Sequence, residues 1–327
     1  MDIGTLGALY VQYGEQITNA ASVMNRGVFQ VNNSLSQTFK NRFTNQGGSM
    51  RIGSYGSFTL QGPGTGFAFN GGQFADGNGG GSPTRLLTDV GYDASSLQQA
   101  IFSGSDGIYL ADGTSATRTF NVADSTTLPA GTSEMVAGLP FGQNGAGVVA
   151  NLHKTGSGVL EMTAMHTYTG TNTIEAGTLL ANSSRSTGYG SVIVTNTGTL
   201  GGTGIVLGAV TVYSGATLTP GLWASAGTLT VSNNVNLKSG STFNVGLSSS
   251  GNGLLVCSNL TLAGYVSPNP LPGYTVPYSG TWTIATVLGA GTIDKTGATT
   301  APGYTLGVTG SNLILSRPST GTTCFWK

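Results

Sequence analysis

Gly158-Val159-Leu160, Gly177-Thr178-Leu179, Gly198-Thr199-Leu200, Gly215-Ala216-Thr217-Leu218, Gly227-Thr228-Leu229 and Gly240-Ser241-Thr242-Phe243 repeat one phrase: a glycine, one or two further residues, then a large apolar side chain. The first three intervals between these glycines are each roughly 20 residues, and the last two are little more than half as long. The same phrase occurs earlier, at Gly4-Thr5-Leu6, Gly27-Val28-Phe29 and Gly48-Ser49-Met50. Around these phrases apolar residues alternate with polar ones, as in Val210-Thr211-Val212, Thr228-Leu229-Thr230-Val231 and Trp282-Thr283-Ile284. Period-two runs rich in β-branched residues are short strands, and the Gly, Asn and Ser that bound them supply the turns. The longer interval is that of one coil of a β-solenoid. The shorter ones imply half-coils, or two phrases within one coil. One coil cannot bury its own apolar face. Coils stacked about 4.8 Å apart enclose a thin continuous core together. The alternative, a β-sandwich with Gly-rich turns, needs no periodic phrase over such a length.

Composition agrees with a thin core. The chain has 327 residues, of which 54 are glycine, and only 7% are charged, 12 basic against 12 acidic. Zero net charge gives no basic surface for nucleic acid. A mean hydropathy of +0.09 with 38% hydrophobic residues argues against disorder. The glycines lack a three-residue period, and 11 prolines are too few for collagen. No apolar run approaches the length of a membrane-crossing helix, so no helical span is expected. Met1-Asp2-Ile3-Gly4-Thr5-Leu6 carries an acid where a leader carries a base, so no targeting segment is read there. Cys257 and Cys324 permit one disulfide or two unpaired thiols, and both readings stay open.

Three segments differ in texture. Residues 1–75 read as N-terminal solenoid coils with Asn-Gly-type corners. Residues 76–145 hold six of the eight aspartates (Asp76, Asp89, Asp93, Asp106, Asp112 and Asp124) and read as a loop-rich insertion or irregular coils. A short helix is expected there over Ser95–Phe102, with Asp93 or Ser95 as its N-cap. Residues 146–327 return to the regular pattern and end in a tail.

Leu152-His153-Lys154-Thr155-Gly156-Ser157-Gly158-Val159-Leu160-Glu161-Met162, followed by Tyr168-Thr169-Gly170-Thr171-Asn172-Thr173-Ile174-Glu175-Ala176-Gly177-Thr178-Leu179, resembles the autotransporter-associated β-strand repeat. Leu200-Gly201-Gly202-Thr203-Gly204, Leu218-Thr219-Pro220-Gly221 and the stretch 275–315 resemble later coils of such passengers. The resemblance implies an all-β, right-handed parallel β-helix of roughly 20 residues per coil, secreted or displayed at the surface of a bacterium, with no catalytic residues in the repeat. The many strands of an autotransporter's membrane barrel, each about ten residues long, are not found past residue 245. The chain reads as a passenger without its translocator, or one that leaves the cell by another route.

Enzyme chemistry has little to draw on. Glycoside hydrolysis needs two carboxylates facing one cleft, and after Glu175 the one acid is Asp294. Glu161 and Glu175 sit on outward strand positions, where solvated side chains are ordinary. Asp106-Gly107 and Asp112-Gly113 are turn pairs first and candidate ligand or interface residues second. His153 and His166 have no ligand-spaced companions and read as surface or corner residues, so no metal or cofactor is expected. Lys154-Thr155 lacks the leading glycine of a phosphate loop.

What remains is the body of the rod. Its ends carry unpaired backbone groups, and apolar alternation begins at once with Ile3, Leu6, Leu9 and Val11. These residues are the expected contacts of a head-to-tail homopolymer, since a non-closing heterologous contact propagates. Ser, Thr and Asn ladders along the strands could bind surface glycans weakly and repeatedly. The reading is a non-enzymatic extracellular structural or adhesive solenoid that self-assembles. The alternative is a glycan-binding or glycan-cleaving β-helix with its site in residues 76–145.

Overall fold

A computed structural model describes residues 1–11, 22–31, 35–52, 57–62, 64–75, 84–104, 106–222 and 225–319. The chain is an all-β right-handed parallel β-helix. Among the described residues two sheets run from the first coil to about residue 300. The first has 13 strands, from Asp2–Ile3 to Ile293–Asp294, and the second has 14, from Ala8–Val11 to Thr299–Thr300. Among the described residues a third side carries five strands between Ser36–Phe39 and Phe141–Asn144, and later six that begin at Ile205–Val206. Neighbouring coils pair in parallel. The third side ends differently, with Asn312–Arg317 antiparallel to both Gly280–Val287 and Thr305–Thr309. Among the described residues no helix is long and apolar enough to cross a membrane, which says nothing of a β-barrel.

The repeated phrase is a column in space. Leu160, Leu179, Leu200, Leu218 and Phe243 lie directly opposite one another in successive strands of the second sheet. All five are fully buried. Leu229 belongs to the third side, opposite Leu255. The short intervals are therefore two phrases within one coil. Earlier in the same sheet, Phe29, Met50, Phe74 and Phe102 form another inward column. Ten of the 12 phenylalanines fill the coils up to residue 141, and later coils are mainly aliphatic.

Coil length varies while stacking does not. Leu152 faces Asn172 and Asn172 faces Val192, two coils of equal length. Ala116 faces Ala150, across a much longer coil. The extra chain leaves the stack as corner loops, at modest loop-closure cost. The expected helix at Ser95–Phe102 is not formed. Ala100–Ser103 is a strand whose Ala100 and Phe102 point inward, and residues 93–99 form a turn. Asp93 does act as a cap, but of that turn: its Oδ1 accepts from the Ser95 amide at 2.8 Å and the Ser95 hydroxyl at 2.6 Å. Period-two burial of Ala100 and Phe102 outweighs the local helix signal.

Ile3 is buried, Leu9 is half-buried against the core and Leu6 is fully exposed. Val11 lies in an edge strand, but its side chain falls outside the described set. Asp76 and Cys324 lie outside the described residues. Cys257 is a buried free thiol, pushed up to about 12 by burial.

Candidate functional site

Two loops leave the stack at consecutive coils, and the first of them borders two adjoining hollows. The 93–99 turn follows the strand Val90–Tyr92, and the 123–134 loop follows Ala116–Val122, one coil later. They are laced together. The Ser125 and Thr127 hydroxyls donate to the Ser96 carbonyl at 3.0 and 2.7 Å, and Gln99 Nε2 donates to the Ser133 carbonyl at 2.7 Å. The Thr126 amide reaches the Ala94 carbonyl, and the Tyr92 hydroxyl holds the Gln98 carbonyl at 2.9 Å. Below, Gln98 lies across Gly47 and Gly71 of the two preceding coils. Gly71 has φ +83°, and a Cβ there would sit 2.7 Å from the Gln98 carbonyl oxygen, so the floor demands glycine. One lobe, about 200 Å³, is lined by Gln46, Asn70, Ser95, Ser96, Leu97 and Gln98. A shallower lobe shares Gln98 and continues over Gln73, Ile101, Leu128, Pro129 and Thr132, with about 680 Å³. Among the described residues, no ionisable side chain lines either lobe.

The carboxylates stitch coils. Asp112, at the end of Ile108–Asp112, is partly desolvated. Burial works to raise its pKa, but hydrogen bonds from Asn144 and Arg85 outweigh it and hold the carboxyl below the usual range. Arg85 Nε donates at 2.5 Å from the coil before and Asn144 Nδ2 at 2.6 Å from the coil after. Asp106 is half-buried beside Gly107 and shares no partner with Asp112 among the described residues. Glu161 accepts from Ser133 Oγ at 2.8 Å and Asn182 Nδ2 at 2.9 Å. Glu175 pairs with His153 at 2.8 Å and accepts from Asn196 at 3.3 Å. Buried Glu134 takes the Ser125 and Val159 amides, at 3.2 and 2.7 Å. Expected as solvated, Glu161 and Glu175 are outward but tied on both sides.

The other expected surface histidine is corrected. His166 is fully buried, with Nδ1 accepting from the Phe141 amide at 3.0 Å. Burial, and secondarily Arg185, pull its pKa down to about 3, so it stays neutral. It belongs to a stretch where, among the described residues, the third side has no strand. There Tyr168, Asn172, Ser186 and Thr187 are also buried, with Tyr168 donating to Asn172 and Asn172 Nδ2 to the Thr187 carbonyl. The signal in the sequence is period two: His166 stands two residues before Tyr168.

Lys154 is the least expected core residue. It occupies an inward column of the first sheet, between Phe120 and Ile174, with no exposed surface. Its ammonium donates to the carbonyls of Thr155, Gly156 and Ala176 at 2.7, 2.8 and 3.1 Å. The three donors meet three corner acceptors across two coils.

Residues 152–181 match the family model of the passenger-associated-transport-repeat. The chain carries that repeat. Over 83 residues, 25% of this chain, it is 39% identical to the Adhesin BmaC autotransporter of Brucella suis biovar 1 (strain 1330). The match spans only 2% of that relative's length. The passenger repeat covers the coils that hold Lys154, His166, Tyr168 and Gly177. Its lysine is thus a clamp on corner carbonyls, not a phosphate ligand.

That clamp has a pH signature. Burial lowers the Lys154 pKa to about 7, with Glu134 opposing the drop. Unfolded lysine holds its proton to about pH 10.4. Above pH 7 the unfolded chain therefore binds more protons than the folded one, and stability rises with pH. From about pH 8.5 the raised Cys257 thiol acts in the opposite sense, because unfolded cysteine loses its proton first. Denaturant midpoints measured from pH 7 to 8.5 will climb in the native chain. In Lys154→Met they will be lower but flat. A native profile that is level over this window would mean that the three carbonyls offset burial and keep the lysine charged.

Proposed function

We propose that the chain is the rod of an extracellular, surface-displayed bacterial adhesin, non-catalytic and self-associating. The observation that carries the reading is the employment of the acids. All three described glutamates and Asp112 spend their carboxylate oxygens on hydrogen bonds to neighbouring segments. Carboxylates held as stitches build a body, whereas catalysis needs a free acid facing a base. The outward columns of the second sheet are uncharged over much of its length. Thr178, Thr199, Thr217 and Thr242 stand opposite one another in register. The passenger repeat and the likeness to a protein named an adhesin autotransporter support surface display and adhesion.

Head-to-tail association is proposed through the edge strands Asp2–Ile3 and Ala8–Val11, which end their sheets. At the other end the matching edges are the two-residue strands Ile293–Asp294 and Thr299–Thr300. One preparation tests both parts. Beads coated with purified chain will be retained on epithelial monolayers above beads bearing an unrelated protein at equal density, and electron micrographs will show rods joined end to end. Equal retention would end the adhesive reading, and uniformly short single rods the filament.

A further inference from the structure

We infer that the two hollows beside the 93–99 turn, which share Gln98, form a saccharide site for a neutral oligosaccharide. The inference rests on the adhesive reading and names its ligand class. Three observations carry it.

The first is chemistry. The lining offers amides and hydroxyls, Gln46, Asn70, Gln98, Ser95 and Thr132, beside the apolar side chains of Leu97, Ile101, Leu128 and Pro129. Amide and hydroxyl groups match the hydroxyls of a sugar, and apolar side chains match the C–H face of its ring. Leu97 is 77% exposed, an isolated apolar side chain at the mouth. The second is availability. The side chains of Gln46 and Gln98 make no hydrogen bond among the described residues, so both keep two donors and an acceptor for a ligand. The third is preorganisation. The hydrogen bonds between the two loops, and the glycine floor beneath Gln98, fix the walls before any ligand arrives, which lowers the ordering cost of binding.

Other occupants fit less well. A sulfated or sialylated chain, or a charged peptide, would find no counter-charge among the described residues of the lining. An extended peptide adding a strand needs a free edge. The strands under the groove, Ser49–Ile52, Gly72–Ala75 and Ala100–Ser103, are paired on both sides.

The test is a surface array of neutral glycans (glucans, mannans, galactans and N-acetylglucosamine oligomers) with heparan sulfate and polysialic acid as charged comparisons. Titration calorimetry follows on whatever neutral glycan is retained. The native chain will bind at least one neutral glycan and neither charged one. Gln46→Ala combined with Gln98→Ala will weaken binding about tenfold or more, and Thr211→Ala, on the outer face of the first sheet, will leave it unchanged. If the double variant fails to fold, Leu97→Ala supplies the same comparison. Retention of charged glycans only, of no glycan, or equal binding by the groove variants would overturn the inference. The bead assay separates this outcome from failure of the adhesive reading. Beads that adhere equally well with and without the groove substitutions would leave adhesion standing and remove the saccharide site.

Discussion

Gly190→Ala will destabilise the rod by about 3 kcal/mol or more, a large effect for one methyl group. Gly190 sits at a corner where coils touch through their backbones. A Cβ there would lie 1.7 Å from the Gly170 carbonyl oxygen. Gly170 and Gly208, one coil to either side, repeat the same close approach, at 2.1 Å to Ala150 and 2.0 Å to Gly190. The obstacle is contact alone, since Gly190 is not among the residues with positive φ. No side chain can swing aside, because the opposing atoms are backbone. To admit the methyl group the coils must part, and the hydrogen bonds that set their spacing must stretch. Denaturant unfolding followed by circular dichroism measures the loss. Gly307→Ala is the comparison: a Cβ at 307 meets nothing within 4 Å, and its midpoint will stay near that of the native chain. Equal midpoints for the two variants would refute the account of the corners.

Phe102→Ala will cost about 3–5 kcal/mol. Phe102 is fully buried and packs against Phe69 at 4.9 Å, Phe141 at 5.6 Å, Phe74 at 5.7 Å and Phe67 at 6.4 Å between ring centroids. In a globular core, neighbours relax partly into such a cavity. Here the wall strands are held at fixed spacing by ladders on both sides, so collapse is restricted and the cost falls at the high end. Phe102→Leu, which keeps most of the volume, will lose far less. The comparison is read in guanidinium midpoints. A loss below about 1 kcal/mol for the alanine variant would mean that the aromatic stack is loosely packed.

The solenoid was legible in the sequence because stacking copies one requirement into every coil. Leu160, Leu179, Leu200 and Leu218 recur in sequence because they share a column in space. The glycine phrase and the recurrent apolar position follow from that geometry. The sequence misleads where an interaction between coils decides a residue's fate. Ser95–Phe102 carries a helix-cap signal, but strand pairing with the coil before, Phe74 opposite Phe102, claims its second half. Nothing in the sequence marks Lys154 as core, and His166 looks like a surface residue because it is polar. Their partners, the Ala176 carbonyl and the Phe141 amide, lie in neighbouring coils and only folding brings them near. The groove was half visible. The 93–98 turn lies in the aspartate-rich segment, whereas Gln46 and Asn70 come from corners of earlier coils that nothing in the sequence sets apart.

The uneven coils separate two properties that most proteins must change together. The short coil from Leu152 to Asn172 and the long one from Ala116 to Ala150 add the same rise to the rod, one strand spacing of about 4.8 Å. Extra residues at a corner leave reach untouched and enlarge only what hangs from the side. Evolution can therefore redecorate such a shaft without altering how far it extends, and lengthen it by whole coils without disturbing its ornaments.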